Sequence, residues 1–135
     1  MLKVNLATSL KASVKGIQPA KAKIMDGRAV ASTIEREVSE EISALLDRGW
    51  RRPPHLTALI VGDDPASHTY ITNKMKACDR SGITSDTIHL PASISEGALL
   101  RKIASLNHDE GVDGILVQLP LPPHMDETNV CNVSW

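Results

Sequence analysis

The sequence predicts an α/β domain built on an open, mostly parallel sheet, with helices on both faces in three layers. Three observations predict it. Two near-continuous apolar runs, Leu56-Thr57-Ala58-Leu59-Ile60-Val61 and Gly114-Ile115-Leu116-Val117-Gln118-Leu119, are short enough for strands and lack the alternation of a half-exposed sheet, as expected of strands covered on both faces. The segments between and before them repeat their apolar residues at helical spacing. The resulting order is a leading helix followed by β-α-β-α-β, which calls for a parallel sheet with right-handed crossovers.

Each element has a local reason. Val30, Ile34, Val38, Ile42, Leu45 and Leu46 mark one face of a helix from about Arg28 to Arg48, and Gly49 stops it. Arg51-Arg52-Pro53-Pro54 is a loop, because consecutive prolines exclude helix and push the preceding residue to extended geometry. The strand Leu56 to Val61 ends at Gly62. Asp64 is a suitable N-cap and Pro65 a suitable first helical residue, so a second helix starts there and closes at Ser81-Gly82. Thr84 to Leu90 reads as a short strand closed by Pro91. Ser93 and Glu96 fit an S-x-x-E capping box, and Ile94, Leu99, Leu100, Ile103 and Leu106 supply the apolar face of a third helix to about Asn107. Asp109 to Asp113 turns the chain into the last strand, Gly114 to Leu119, which Pro120 and Pro122 break off.

The segment after the first strand carries chemistry. At about 100° per residue, Ser67, Tyr70 and Lys74 fall within about 60° of one another on a helix wheel, so a hydroxyl, a phenol and an amine share one side. Ile71, Met75 and Cys78 form a separate stripe suited to packing on a sheet. A bare Y-x-x-x-K is more often an amphipathic pair covering surface; its position after a parallel strand favours a site, because ligands of such sheets bind at the carboxyl ends of the strands. Gln118, an amide inside an apolar run, arrives at the same end, and reads equally as a satisfied core amide. A lysine tuned by burial or neighbours exchanges a proton near neutral pH, and a phenol or amide beside it orients proton and substrate. This combination suits acid-base chemistry on a polar heterocycle. The loop Gly62-Asp63-Asp64-Pro65 is no G-x-G-x-x-G turn and no P-loop occurs, so a self-contained dinucleotide site is not expected.

Composition excludes other classes. The 135 residues, 41% hydrophobic, suffice for one domain with a core. Phe is absent and aromatics make up 2%, so base-stacking platforms are nearly missing, and 15 basic against 16 acidic residues leave a formal charge of −1; nucleic acid is not an expected partner. Cys78 and Cys131 are far apart without metal-ligand spacing and read as reduced thiols, while the histidines at 55, 68, 89, 108 and 124 form no i, i+4 pair, so no metal is expected. No apolar stretch approaches the roughly 18 residues of a membrane span. Residues 1 to 25 carry five lysines and no acid, with Leu2, Leu6, Leu10, Val14 and Ile17 at helical spacing. Such a segment reads equally as a mitochondrial transit peptide or a disordered tail, the latter leaving the protein in the cytoplasm.

The order Val61-Gly62-Asp63-Asp64-Pro65-Ala66-Ser67, Tyr70, Lys74, then Pro91-Ala92-Ser93, then Val112-Asp113-Gly114 through Gln118-Leu119-Pro120-Leu121-Pro122 closely resembles the bifunctional methylenetetrahydrofolate dehydrogenase/cyclohydrolases, over roughly Ala22 to Asn132. The likeness is greatest to their mitochondrial NAD-dependent members, whose Ile-Cys-Asn segment corresponds to Val130-Cys131-Asn132. The resemblance implies a folate-binding amino-terminal domain over residues 26–132, joined in the family to a Rossmann domain with the active site in the cleft between. It implies one-carbon metabolism, namely oxidation of 5,10-methylene-tetrahydrofolate with NAD or NADP and hydrolysis of 5,10-methenyl- to 10-formyl-tetrahydrofolate. It further implies a homodimer whose contacts lie mainly in the Rossmann domain, and magnesium and phosphate as further requirements of full-length members.

Residue by residue, Lys74 matches the acid-base lysine, Tyr70 the tyrosine that stacks on the folate, Gln118 the amide that partners the lysine, and Ser67 a serine of the same site. Ile71, Thr72 and Asn73, with Val117, Leu119 and Pro120, match the substrate-binding stretches. The resemblance also favours the transit-peptide reading of residues 1–25. Family members continue into a Lys-Asp-Val-Asp-Gly-Phe segment whose aspartate contacts the pterin, where this chain reads Val133-Ser134-Trp135. The expectation is therefore a catalytic domain without its cofactor domain, in a truncated or partial chain. The alternative is a non-catalytic folate-binding or regulatory isoform, and an unrelated α/β binding module is disfavoured by the density of matched positions.

Overall fold

The computed structural model describes residues 24–133. The tail expected over residues 1–25 lies outside the described residues except for Ile24 and Met25, both exposed and without regular structure. Four helices and three strands alternate: α1 (Gly27–Asp47), β1 (His55–Val61), α2 (Pro65–Arg80), β2 (Thr84–Leu90), α3 (Glu96–Asn107), β3 (Gly114–Val117) and α4 (Glu127–Val133). The sheet order is β2-β1-β3 and both pairings are parallel, with Leu59 of β1 opposite Ile88 on one side and Val117 on the other.

Putting the most apolar strand in the middle buries both of its faces. Leu59 and Val61 point into a core with Leu99, Ile103 and Leu106 of α3 and Val130 of α4. Ala58 and Ile60 point the other way, onto Ile71 and Met75 of α2. The layers are thus α1 and α2, the sheet, then α3 and α4. The Ile71, Met75 and Cys78 stripe turns inward as its spacing predicts: Ile71 is buried, and Met75 and Cys78 are half-buried.

The helix starts follow capping chemistry. Asp26 accepts from the Arg28 and Ala29 amides at 3.0 and 3.1 Å, and Asp64 accepts from the Ser67 amide at 2.7 Å. Gly49 and Gly82 close α1 and α2 with φ of 100° and 77°, a conformation that costs a side chain but not glycine.

The structure departs from or adds to the sequence reading at four points. The capping box at Ser93 is not formed, because α3 begins at Glu96 with Ser95 as its cap, accepting from the Ala98 amide. Glu96 instead reaches across to the start of α4, where it accepts from the Asp126 amide and the Asn129 side chain. Strand β3 ends at Val117, although the Gln118 amide adds one more ladder bond to the Leu59 carbonyl at 2.9 Å. Helix α4 has no counterpart in the sequence reading, since seven residues are too few to show a period. Finally, the apolar face of α1 is covered only in its carboxyl-terminal half: Ile42 is buried, whereas Val30 and Ile34 are more than half exposed. Replacing Ser95 by Ala is expected to lower stability by about 1 kcal/mol through the lost cap, read as a shifted urea midpoint at unchanged slope.

At the amino-terminal end of the sheet, Arg52 pairs with Asp113 and donates to the Glu110 carbonyl at 2.6 Å, while Asp113 also accepts from the His55 amide at 2.7 Å. The Arg52 guanidinium first, and the His55 amide second, hold the Asp113 carboxyl below its usual range. A carboxyl with a depressed folded value adds stability above its unfolded value of about 3.9 and loses it as the pH falls through the folded value. Asp113→Asn is therefore expected to reduce stability at pH 7 and to flatten its decline below about pH 4. Urea midpoints of both proteins between pH 7 and pH 2.5 would check this, and parallel profiles would contradict it.

Candidate active site

The site forms where β1 and β3 end. The turn after β1 passes through Gly62, whose φ of 88° lets the chain leave the strand sharply and whose missing side chain leaves room for Ala92, 3.4 Å from where a Cβ would stand. Asp64 then caps α2, and its carboxyl is held below the usual range, chiefly by the Ser67 amide and next by the Ser67 hydroxyl. This starts the helix with Ser67 buried at 3% exposure and turned towards the end of β3.

Lys74, two turns further along α2, donates from Nζ to Gln118 Oε1 at 2.9 Å. Residues 44 positions apart in sequence thus meet because β1 and β3 are neighbours. Gln118 is 8% exposed. Its Nε2 donates to the Leu119 carbonyl, which also accepts from the Ser67 hydroxyl at 3.5 Å. The amide orientation follows from this arrangement: the Leu119 carbonyl can only accept, so the NH2 group faces it, and Oε1 is left to accept from Lys74 Nζ. Among the described residues Lys74 has no carboxylate partner, so its amine is held by a neutral group and free to act on a ligand.

The residues expected at the site divide. Ser67, Lys74 and Gln118 form one hydrogen-bonded group through Leu119. Tyr70 stands one turn before Lys74 with 62% of its surface exposed, a ring available to cover a flat ligand. Leu119 and Pro120 are exposed beside them, joined by a cis peptide bond. Ile71 turns into the core under α2, and Val117 packs on the opposite face of the sheet. Thr72 and Asn73 are exposed, the Thr72 hydroxyl donating to the His68 carbonyl at 2.8 Å. The burial expected to tune Lys74 is not supplied, because the residue is exposed. The group that sequence reasoning missed is the Leu119 carbonyl, a main-chain atom that no residue type announces.

Among the described residues no three histidine, cysteine or acidic side chains converge to hold a metal, and no helix is long and apolar enough to cross a membrane.

Residues 25–133 match the family described as tetrahydrofolate dehydrogenase/cyclohydrolase, catalytic domain. The chain belongs to this family. It is 49% identical over 111 residues to the mitochondrial bifunctional methylenetetrahydrofolate dehydrogenase/cyclohydrolase of Drosophila melanogaster, covering 82% of this chain and 36% of that protein. It is 49% identical over 109 residues to the bifunctional protein FolD of Aquifex aeolicus, covering 81% and 37%. Among solved structures it superposes on a 5,10-methylenetetrahydrofolate dehydrogenase from the silkworm Bombyx mori with a TM-score of 0.80 at 46% identity, covering 83% of this chain and 38% of that one. The corresponding enzyme of Trypanosoma brucei, solved with NADP cofactor and inhibitor, gives 0.76 at 39% identity, with 83% and 38% covered. The chain thus spans a little over a third of the length of the relatives it matches.

Proposed function

We propose that residues 26–132 form the folate-binding catalytic unit of a methylenetetrahydrofolate dehydrogenase/cyclohydrolase, with Lys74 as its acid-base group. The observation that carries this is the Lys74 to Gln118 hydrogen bond at the carboxyl ends of two parallel strands, in a chain of this family. In the hydrolytic step, water adds to the methenyl carbon and Lys74 takes the proton that the water loses. The carbon–nitrogen bond to N5 of the folate then breaks as that nitrogen receives the proton from Lys74 and the hydroxyl of the adduct releases its own proton to solvent water, leaving 10-formyl-tetrahydrofolate. Gln118 keeps the amine aimed during both transfers, and the exposed Tyr70 ring covers the flat part of the substrate.

The described residues do not fit a nicotinamide dinucleotide. The turn after β1 holds Asp63 and Asp64 where a dinucleotide fold needs glycines, and the Asp64 carboxylate itself occupies the Ser67 amide in the first turn of α2, which would otherwise face a phosphate. No hydride step is therefore assigned to these residues. The use of NAD or NADP, homodimerisation, and any need for magnesium or phosphate belong to the proposal for the longer enzyme. A mitochondrial location is part of the same reading, supported by the lysine-rich first 25 residues and by the mitochondrial relatives of Drosophila and Gallus gallus; the FolD relatives are bacterial proteins.

Binding tests this reading separately from turnover. Titration with a tetrahydrofolate derivative is expected to shift the amide resonances of Tyr70, Lys74 and Gln118 in a saturable way, and Tyr70→Ala to weaken binding about tenfold through the lost stacking surface. Shifts confined to other surfaces, or an unchanged affinity in Tyr70→Ala, would refute the assignment.

A further inference from the structure

Helix α2 lies over β1 and has two flanks. The flank towards β3 carries Ser67 and Lys74, while the flank towards β2 borders a separate open cleft of about 370 Å3, which shares Ile71 and Thr72 with the matched substrate-binding stretch but none of the Ser67, Lys74 and Gln118 group. Its floor is apolar, made by Ile60 of β1 with Ile71 and Met75 of α2. Its wall is flat: the rings of His68 from α2 and His89 from β2 stack with centroids 5.2 Å apart and planes 14° from parallel. His55, His108 and His124 each place a ring nitrogen against a protein oxygen, whereas the rings of His68 and His89 make no hydrogen bond among the described residues. On the rim, the Lys76 amine has no ion pair or hydrogen bond among the described residues, and neither does the Thr87 hydroxyl. Asp79 stands on the same rim.

We propose that this cleft is a second ligand site, for a small planar aromatic monocarboxylate. An aromatic ring covers the apolar floor and stacks on the imidazole wall, gaining both area burial and ring contact. Its carboxylate meets the Lys76 ammonium, with the Thr87 hydroxyl as a further donor. Asp79 sets the charge limit, because one amine beside one carboxylate accommodates a single negative charge better than two. The volume lies at the low end of the roughly 300–1,000 Å3 of small-molecule sites, which suits one ring rather than two. The site sits on the flank of α2 opposite Lys74, so it stands independently of the folate reading.

Benzoate is the probe, titrated into the full chain and followed by two-dimensional amide NMR. Saturable shifts at His68, Thr87 and His89 are expected, with a dissociation constant on the order of 1 mM for so small a ligand. Lys76→Met and His89→Ala, both at exposed positions, are expected to weaken binding by about fivefold or more, whereas His89→Phe, which keeps a flat ring, retains it. Cyclohexanecarboxylate and inorganic phosphate are expected to bind more weakly than benzoate. The proposal is overturned by an absence of saturable shifts in the cleft, by shifts that persist unchanged in both weakening variants, or by phosphate binding as tightly as benzoate. The unperturbed resonances of α3 and β3 in each variant report that the fold is retained.

Discussion

Lys74→Met is expected to reduce hydrolysis of 5,10-methenyl-tetrahydrofolate by about 10²- to 10⁴-fold, the usual contribution of a positioned acid-base group. The measurement is the decay of substrate absorbance above the spontaneous rate. Methionine keeps much of the length of the lysine stem and removes the amine, and Lys74 is exposed, so the melting temperature is expected to stay within a few degrees of the parent. Gln118 supplies the second arm of the test. Gln118→Leu removes the acceptor that holds Nζ at 2.9 Å and should slow the same step. Because the two side chains act as a unit, the double substitution should cost little more than Lys74→Met alone. Additive losses would show that the amide acts apart from the amine. Equal rates for the parent chain and Lys74→Met would remove Lys74 from the chemistry.

Leu59→Ala is expected to destabilise the domain by about 3–5 kcal/mol, the largest effect of any single truncation here. Leu59 is fully buried in the middle strand, flanked by Ile88 and Val117 in the ladder and packed in the cluster that includes Leu99 and Ile103. No neighbouring helix can close the gap without pulling away from the sheet. Since small domains are stable by only about 5–15 kcal/mol, this loss consumes a large share of the total. The urea midpoint should fall at nearly unchanged slope. Ile34→Ser is the control, because its side chain is 53% exposed and the change should stay within about 0.5 kcal/mol. A Leu59→Ala effect no larger than that of Ile34→Ser would mean that the sheet does not order the core as described.

The elements most legible in the sequence are those whose cause is local. Asp64 and Pro65 start α2 through capping and fixed φ, and the Ile71 stripe turns inward by its period. The S-x-x-E pattern at Ser93 does not become the cap because two serines, Ser93 and Ser95, both precede the helix, and only the path of the chain selects Ser95. The same tertiary path recruits Glu96 to the first turn of α4, a partner 30 residues away. The exposed start of α1 was also illegible. Helical spacing says that Val30 and Ile34 share a face with Ile42, but not what that face meets.

The same division holds at the site. Sequence by itself determined the strand-helix alternation, the placement of Ser67, Tyr70 and Lys74 on one side of α2, and the arrival of Gln118 at a strand end, because periodicity and caps act over a few residues. Only the tertiary structure decided that Lys74 stays exposed yet meets Gln118, that the Leu119 carbonyl accepts from the Ser67 hydroxyl, and that His68 meets His89. Those outcomes depend on which strands are neighbours and how closely a helix lies on them, and contacts between residues 21 to 52 positions apart are set by the packing of the whole sheet rather than by any local preference.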